Sequence, residues 1–451
     1  MALTKATYSL IEGAPLNLAD YGVVGDGVAD DTAAIQAAID ALGALGRGSL
    51  TGPNDVTYKI TASLDFTILG AAHEPYEIDF KGATFLWGGL SSSTDPMWYF
   101  FDNKQINVKN FYLKGDAATP SSVTGIEIDS LQPAGADLLN FSNFRIQYCD
   151  YGVQMGSVGA EQNRVSDSKF SQFVIEQIGT SGFKTKSTNV DSIIIEQGII
   201  SGATNGVEIA RAGFIKFDTV TGFGLLRNYY VIGPKGALNF INCQGENGGV
   251  LNNFFYYQDI YTLARQGPVT FAGCSSDDKI KFAVPASGGS DAQLVNYVGG
   301  RFADFEVACD DAVVNFTGCF GASTGTVTFT GTNTKAYQSG TRLEGTLVDT
   351  AKAFSGTNYI MNPDNKIIQF GQTALTTVAA GSVSTVAVVF PKAFPATIAT
   401  LVAGTTSTGG GGDVLAYVDG FSVTTSGFNM KLQNTAGVPQ DIIGTYIAYG
   451  T

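Results

Sequence analysis

A short phrase recurs through the middle of this 451-residue chain. Each copy has an apolar strand-like run, a polar or glycine step and a second apolar run, as in LLNFSNFRIQYCDYGVQMG. Repeats of this length are typical of a solenoid, and alternation at period 2 favours strands over helices. The phrase therefore predicts an all-β parallel β-helix. The residues taken as equivalent, mostly 19 to 31 positions apart, are Phe141, Val165, Ile193, Phe217, Phe240, Phe271, Tyr297 and Phe316.

Three of the five cysteines occupy the same place in the phrase. Cys243, Cys274 and Cys319 each follow the reference phenylalanine by three residues. Stacked repeats would bring them into one column of small buried side chains. The chain has no CxxC pair and a single histidine, His73, so we expect neither a metal nor a cofactor.

The segment NLADYGVVGDGVADDTAAIQAAIDALG, residues 17–43, predicts one helix at the start of the chain. Its apolar stripe comprises Ala34, Ile35, Ala38, Ile39 and Leu42. Asp30 or Asp31 would cap a helix over residues 31–42, and Gly43 would end it. A β-helix has an open end with unpaired backbone groups and exposed core. We expect the helix to cover that end.

This opening segment resembles the entry motif of the pectate-lyase-like superfamily of right-handed parallel β-helices. It is especially similar to the bacteriophage tailspike members, over about 25 residues. The resemblance implies a right-handed, single-stranded β-helix with an N-terminal capping helix. It also implies a substrate that is a long polysaccharide lying across the outer face of the stacked strands.

Changes in composition and in turn signals along the sequence predict four regions. Residues 1–15 would be a short attachment peptide, 16–345 the parallel β-helix, 346–366 a linker and 367–451 a compact all-β domain. The segments VVFPKAFPA and IIGTYIAYG resemble the C-terminal lectin-like domains of phage tail fibres. That resemblance implies a β-sandwich that forms a homotrimer and contacts carbohydrate.

The charge balance limits the partners of the chain. There are 26 Lys and Arg against 40 Asp and Glu, a net charge of −14. This argues against binding nucleic acid and against docking on anionic lipid. No apolar run reaches 18 residues, so we expect no membrane insertion. An acidic polymer would have to be recognised by local arginines and lysines.

The second strand of each phrase supplies candidate catalytic carboxylates. Aligning TGIEIDS, YGVQMG, FVIEQIG, NGVEIAR and YYVIGP puts Glu127, Gln154, Glu176, Glu208 and Ile232 at one outward position. Neighbouring coils lie about 4.8 Å apart, so Glu176 and Glu208 would have roughly the 5 Å separation of a retaining glycosidase. Glu127 would lie two coils from Glu176, near the inverting range. The alternative is a solvated ladder of glutamates.

Other residues are candidates for holding the substrate. Arg211 follows Glu208 directly and would bind an acidic sugar. Tyr229 and Tyr230, with Tyr256 and Tyr257 in the next repeat, would stack on sugar rings or pack between subunits.

Together these features predict a phage tailspike that binds and hydrolyses a bacterial surface polysaccharide during host adsorption. It would sit in the virion tail as a homotrimer, attached through its N-terminal peptide to another phage tail protein. Two alternatives stay open: a polysaccharide lyase on the same fold, and a receptor-binding tail fibre without catalysis. A lyase would need a base such as Lys, Arg, Tyr or His73 to take the C5 proton from a uronic acid.

Overall fold

The computed structural model describes most of the chain from residue 14 onward. The described ranges are 14–71, 75–90, 92–115, 122–131, 135–156, 164–186, 189–210, 212–232, 236–246, 253–258, 267–283, 293–322, 325–331, 334–339, 341–343, 346–349, 359–361, 367–372, 376–380, 382–389, 398–407, 414–418, 423–424, 426–435 and 440–450. The predicted attachment peptide, residues 1–15, lies almost entirely outside them. None of the described helices is long and apolar enough to cross a membrane.

The chain winds as a right-handed parallel β-solenoid of about ten turns, as predicted. Its strands are β1 (Leu16–Asn17), β2 (Asp26–Asp30), β3 (Gly48–Thr51), β4 (Thr57–Ile60), β5 (Leu64–Asp65), β6 (Tyr76–Trp87), β7 (Pro96–Phe101), β8 (Ile106–Lys114), β9 (Thr124–Asp129), β10 (Ala136–Asp137), β11 (Asn140–Gln147), β12 (Tyr151–Met155), β13 (Arg164–Ser166), β14 (Lys169–Glu176), β15 (Ser181–Thr185), β16 (Asn189–Asp191), β17 (Ile193–Ser201), β18 (Asn205–Ala210), β19 (Ile215–Phe223), β20 (Arg227–Ile232), β21 (Leu238–Ile241), β22 (Gln244–Glu246), β23 (Asn253–Tyr257), β24 (Val269–Ala272), β25 (Ser275–Ser276), β26 (Lys279–Phe282), β27 (Leu294–Val298), β28 (Arg301–Phe302), β29 (Phe305–Val307), β30 (Val313–Thr317), β31 (Phe320–Gly321), β32 (Thr326–Phe329), β33 (Lys335–Ser339), β34 (Arg342–Leu343) and β35 (Thr346–Asp349).

The solenoid strands form three parallel sheets. Sheet A has 20 strands, including β11, β14, β17 and β19. Sheet B has 12 strands: β5, β7, β9, β12, β15, β18, β20, β23, β26, β29, β32 and β35. Sheet C is short and contains β10, β13 and β16. A turn in the middle of the solenoid therefore runs from sheet A to sheet B, and in three turns onward through sheet C.

In the middle of the solenoid, sheet A bends once in each turn at a residue with a left-handed backbone, and at one bend two consecutive residues, Gly299 and Gly300, have it. These residues stack from turn to turn: Asn110, Asn143, Gln172, Gln197, Thr219 and Asn242, followed by Gly273, Gly299 and Gly318. Asparagine tolerates this conformation better than most residues. The Asn143 amide also donates a hydrogen bond of 2.6 Å to Asn110 Oδ1, which ties neighbouring bends together.

Inside the solenoid, apolar side chains stack into columns. The column that contains the reference residues runs through Phe141, Phe170, Ile195, Phe217, Phe240, Phe271, Tyr297 and Phe316. Adjacent members stack closely, with ring centroids 5.2 Å apart for Phe141 and Phe170.

Two of the eight predicted equivalences are wrong. Val165 lies in sheet C, where it pairs with Ala136 and Val190. Ile193 lies two residues before its true counterpart and pairs with Ile215. The error arises because each sheet C strand carries a buried apolar residue shortly before the sheet A strand begins. An alignment based on hydrophobicity alone does not distinguish the two strands.

The predicted cysteine column is interrupted, because Cys243 and Cys274 are neighbours in it but one turn separates Cys274 from Cys319. All five cysteines are buried and free. Cys243 and Cys274 lie at equivalent positions in adjacent turns, because the residues that follow them are paired. Gly300 occupies the equivalent position in the next turn, and Cys319 occupies it in the turn after that.

The predicted helix is α1 (Thr32–Leu45), and two 3-10 helices flank it at Leu18–Tyr21 and Thr67–Ala71. Its buried face comprises Ile35, Ala38, Ile39 and Leu42, which join the solenoid core beside the first strands. The helix continues past Gly43 and ends at Gly46, which has a left-handed backbone. Gly43 allows close packing instead, since a Cβ there would lie 2.6 Å from Ile68.

The side chains of the two aspartates before α1 bind different backbone groups, and only that of Asp30 bonds to the first turn of the helix. Asp30 Oδ1 accepts from the Thr32 N–H at 3.1 Å. The buried Asp31 carboxylate instead accepts from the N–H groups of Val24 and Gly25, at 2.6 and 3.1 Å. It thereby ties the glycine-rich hinge to the start of the helix.

The solenoid ends later than predicted. Parallel pairing continues through β35, so the expected boundary at residue 345 falls short and the predicted linker 346–366 contains two strands. The C-terminal strands are β36 (Tyr359–Met361), β37 (Ile367–Gln372), β38 (Thr376–Val378), β39 (Val383–Val389), β40 (Ile398–Ser407), β41 (Val414–Val418), β42 (Gly427–Asn434) and β43 (Gln440–Gly450). They form two antiparallel sheets with a second core, which includes Phe428 and Tyr446 in edge contact.

Four glycines stack where the chain enters sheet B, namely Gly125, Gly152, Gly182 and Gly206. A Cβ on any of them would lie within 2.7 Å of the carbonyl oxygen of the next turn. Gly182→Ala should therefore destabilise the protein by about 1–3 kcal/mol, because the added methyl also meets Ile200 at 2.7 Å. Urea unfolding midpoints would measure the change. Ser171→Ala, at an outward position of β14, is the control and should shift the midpoint little.

Candidate functional site

The outward side chains of sheet B form one continuous column, which we call the outer column. Side chains alternate along each strand, and the parallel register repeats the same position in every turn. The column contains Glu127, Gln154, Lys184, Glu208, Tyr230, Tyr256, Lys281 and Glu306. It thus carries both charged and aromatic groups.

The predicted pairing of Glu176 with Glu208 is wrong. Glu176 lies in β14 of sheet A, where it pairs with Gln147 and Ser201. Its carboxylate accepts a hydrogen bond from Arg145. The cause is the same misalignment of the repeats. The segment FVIEQIG contains the end of β14 of sheet A, and the sheet B strand of that turn is β15.

Glu127 and Glu208 do share the outer column, but three turns separate them. At the usual strand spacing this is about 14 Å, which is more than either glycosidase separation. The register therefore does not bring any two of the three predicted glutamates together.

Ion pairs hold both of these glutamates. Lys186 Nζ lies 3.0 Å from Glu127 Oε1, and Lys184 Nζ lies 3.0 Å from Glu208 Oε1. The Ser181 hydroxyl also donates to Glu208, at 3.0 Å. Burial alone would lower the pKa of Lys184, but the hydrogen bond and charge of Glu208 raise it above the usual value. Lys184 therefore stays protonated near neutral pH.

The aromatic part of the outer column is built around an arginine. The rings of Tyr230 and Tyr256 have centroids 5.8 Å apart. Arg227 Cζ lies 4.6 Å from the first centroid and 5.1 Å from the second. Its Nη1 donates to Asn205 Oδ1 at 3.3 Å. Sequence reasoning missed Arg227 because it lies three residues before Tyr230, and strict alternation along a strand would place the two on opposite faces.

The other two predicted tyrosines face the opposite way. Tyr229 and Tyr257 are only 2% and 1% exposed and pack in the core. Each is adjacent in sequence to an outward tyrosine, so alternation turns it inward. The prediction that they stack on a sugar is therefore wrong. Arg211 and His73 lie outside the described residues.

A second polar group lies on sheet C. Asp137, Ser166 and Asp191 occupy equivalent positions in three successive turns. The Ser166 hydroxyl donates to Asp137 at 2.5 Å, and Arg164 lies 3.6 Å from Asp137 and 3.7 Å from Asp167. Asp137 and Asp191 are thus two turns apart, about 9.6 Å along the stack. The sequence signal was an aspartate or serine after a small apolar residue (AD, VS, VD) shortly before each sheet A strand.

The environment of Asp191 favours its protonated form. Burial is the main cause that raises its pKa, and the negative charges of Asp167 and Asp137 add to it. The positive charge of Arg164 opposes the shift without cancelling it. A carboxyl whose pKa is raised by burial and by neighbouring negative charge is a candidate general acid.

No protein-family model and no curated protein matches this sequence. Among solved structures, the chain is similar to the tailspike protein of Escherichia coli bacteriophage HK620 in complex with a pentasaccharide. The identity is 12%, the match covers 99% of this chain and 97% of that chain, and the TM-score is 0.56.

Two further structures are more distant. The tailspike protein gp49 from Acinetobacter baumannii bacteriophage Fri1, a capsular polysaccharide depolymerase, is 11% identical over 98% of this chain and 86% of that chain, with a TM-score of 0.40. An endo-xylogalacturonan hydrolase from Aspergillus tubingensis is 14% identical over 73% and 92%, with a TM-score of 0.39. The similarity to the HK620 protein establishes a fold shared with a phage tailspike.

The raised pKa of Asp191 predicts a pH-dependent effect of Asp191→Asn on stability. In the folded state the carboxyl holds its proton at pH values where the unfolded chain has lost it. The contribution of Asp191 to stability therefore falls as pH rises from the ordinary aspartate range through its raised pKa. The asparagine variant should gain thermal stability relative to wild type at pH 7 more than at pH 3.5. The same measurement on Asp277→Asn, at an exposed side chain, should give no such gain.

Proposed function

We propose that this protein is a bacteriophage tailspike that binds a bacterial surface polysaccharide along sheet B and hydrolyses it during host adsorption. The observation that carries the proposal is the cluster of Tyr230, Tyr256 and Arg227 in the outer column. Rigid aromatic side chains offer broad amphipathic contact at little entropic cost, which suits the faces of sugar rings. The column repeats the same outward position from turn to turn, which suits a long polymer.

The shared fold supports this proposal. The HK620 tailspike, which matches nearly the full length of this chain, was solved with a pentasaccharide. Sugar binding by a protein of this fold is consistent with a carbohydrate ligand here.

The carboxylates of sheet C are the better candidates for the chemistry. Asp191 would protonate the glycosidic oxygen, and Asp137 would activate water from two turns away. Their spacing of about 9.6 Å lies at the upper end of the range for inverting enzymes, so we propose inversion. Glu208 and Glu127 would orient Lys184 and Lys186 toward the polymer rather than act as the acid.

Elimination is the less favoured route. A lyase needs a neutral base near the sugar, and one candidate, Lys184, has its pKa raised by Glu208. The non-catalytic receptor-binding fibre is supported by a separate observation: both predicted glutamates of the column are held in ion pairs. That state suits binding without bond cleavage.

Purified capsular polysaccharides from candidate host bacteria would test the activity. On the cognate polymer, wild type should lower viscosity and release reducing ends without new absorbance near 232 nm. Asp191→Asn should reduce the rate by roughly 100-fold or more, because it removes the proposed proton donor. Glu176→Gln, on sheet A, is the matched control and should keep the wild-type rate.

Three results would count against parts of this proposal. Binding without cleavage would favour a receptor-binding fibre. New absorbance near 232 nm would identify a lyase. A fully active, correctly folded Asp191→Asn would remove Asp191 from the mechanism while leaving the depolymerase in place.

The proposed assembly is a homotrimer in the virion tail, held by a C-terminal β-sandwich and attached through residues 1–15 to another tail protein. Sedimentation equilibrium should therefore give the mass of three chains. Removing residues 367–451 should yield monomers if that region holds the trimer together. A monomeric full-length chain at micromolar concentration would contradict the assembly.

A further inference from the structure

The basic residues on the outer face of sheet B differ in their partners. Four lysines each lie within 3.3 Å of a glutamate oxygen: Lys184 with Glu208, Lys186 with Glu127, and Lys279 and Lys281 with Glu306. Arg227 lies on the same face, but no carboxylate of the described residues comes within 4.0 Å of its guanidinium. Its positive charge is therefore not neutralised by that part of the chain.

The surroundings of Arg227 fix the guanidinium while leaving it charged. Tyr230 and Tyr256 lie 4.6 and 5.1 Å from Cζ, within the range of cation–π attraction. Asn205 accepts a hydrogen bond from Nη1, and the buried Nε has no hydrogen-bond partner among the described residues. A buried donor without an acceptor is unfavourable, and a ligand oxygen would supply the missing acceptor. The arrangement pre-orients a cation at an aromatic surface.

A purely structural role can be compared within the same molecule. Arg145 on sheet A also lies over a tyrosine, with Cζ 5.1 Å from the Tyr112 centroid. Unlike Arg227, it has an ion pair, with Glu176. The stacked Arg145 therefore has a carboxylate partner within the chain. The stacked Arg227 has none among the described residues.

We propose that Arg227, Tyr230 and Tyr256 form a subsite for a sugar residue that bears a carboxylate, such as a uronic acid. The planar guanidinium matches a carboxylate in shape and charge, and the tyrosines contact the sugar ring beside it. A singly charged carboxylate fits better than a phosphate dianion, since Glu208 lies one turn away and the net charge is −14. This inference rests on the proposed function and narrows its substrate to acidic glycans.

The test compares immobilised bacterial capsular polysaccharides in two forms. One form is native, and in the other carbodiimide activation and borohydride reduction have converted the carboxylates to primary alcohols. Biolayer interferometry should show wild type binding at least one carboxylate-bearing polymer. Its affinity should fall roughly 10- to 100-fold on carboxyl reduction, and Arg227→Gln should cause a similar loss on the native polymer.

The two changes should not add. Arg227→Gln should bind native and reduced polymer alike, because the variant lacks the group that reads the carboxylate. Arg145→Gln, the stacked and ion-paired control, should bind as wild type does. Circular dichroism and thermal midpoints would establish that each variant is folded.

The outcomes separate this inference from the proposed function. If wild type binds native and reduced polymer equally, or if Arg227→Gln still distinguishes them, the subsite assignment is wrong and the polysaccharide-binding proposal stands. If no polymer in the panel, acidic or neutral, binds wild type, the proposed function fails and the subsite fails with it.

Discussion

The backbone hydrogen bonds between successive turns are the constraint on which the rest of the structure depends. In parallel pairing each residue faces its counterpart one turn away, at a spacing of about 4.8 Å. A side chain's neighbours are therefore set by register rather than by distance in sequence. The core column of phenylalanines, the buried cysteines and the outer column all follow from the same pairing. A slip of one residue would turn every column inside out.

The bends in sheet A help to hold this register. A residue with a left-handed backbone recurs at the equivalent position in successive turns, and the amide of Asn143 donates a hydrogen bond to that of Asn110. The glycine stack at the entry to sheet B adds a steric limit, because the carbonyl oxygens of the next turn occupy the space of a Cβ. Local backbone geometry and long-range pairing thus agree, as they do in sequences that fold to one structure.

The sequence was sufficient for the architecture but not for the contacts between turns. The repeat length, the amphipathic helix and the cysteine spacing predicted the solenoid, its first helix and one buried column. The register failed at Val165 and Glu176, where a short sheet C strand shifts the count. The prediction also placed Tyr229 and Tyr257 on the outer face. Side chains alternate along a strand, so these two tyrosines face the core and the tyrosines next to them face outward. Arg227 and Asp191 were missed because their importance comes from neighbours in other turns, which an unaligned sequence does not reveal.

The connections that leave sheet B differ widely in length, and this has an evolutionary consequence. Eleven residues separate β23 from β24, whereas five separate β29 from β30, yet the strands on both sides remain in register. Insertions or deletions in these connections can therefore change the segments that leave sheet B while the stacked framework is conserved. Under the proposed function, a lineage of such proteins would follow a changing host coat through its loops alone, with selection for stability and selection for recognition acting on separate parts of the chain.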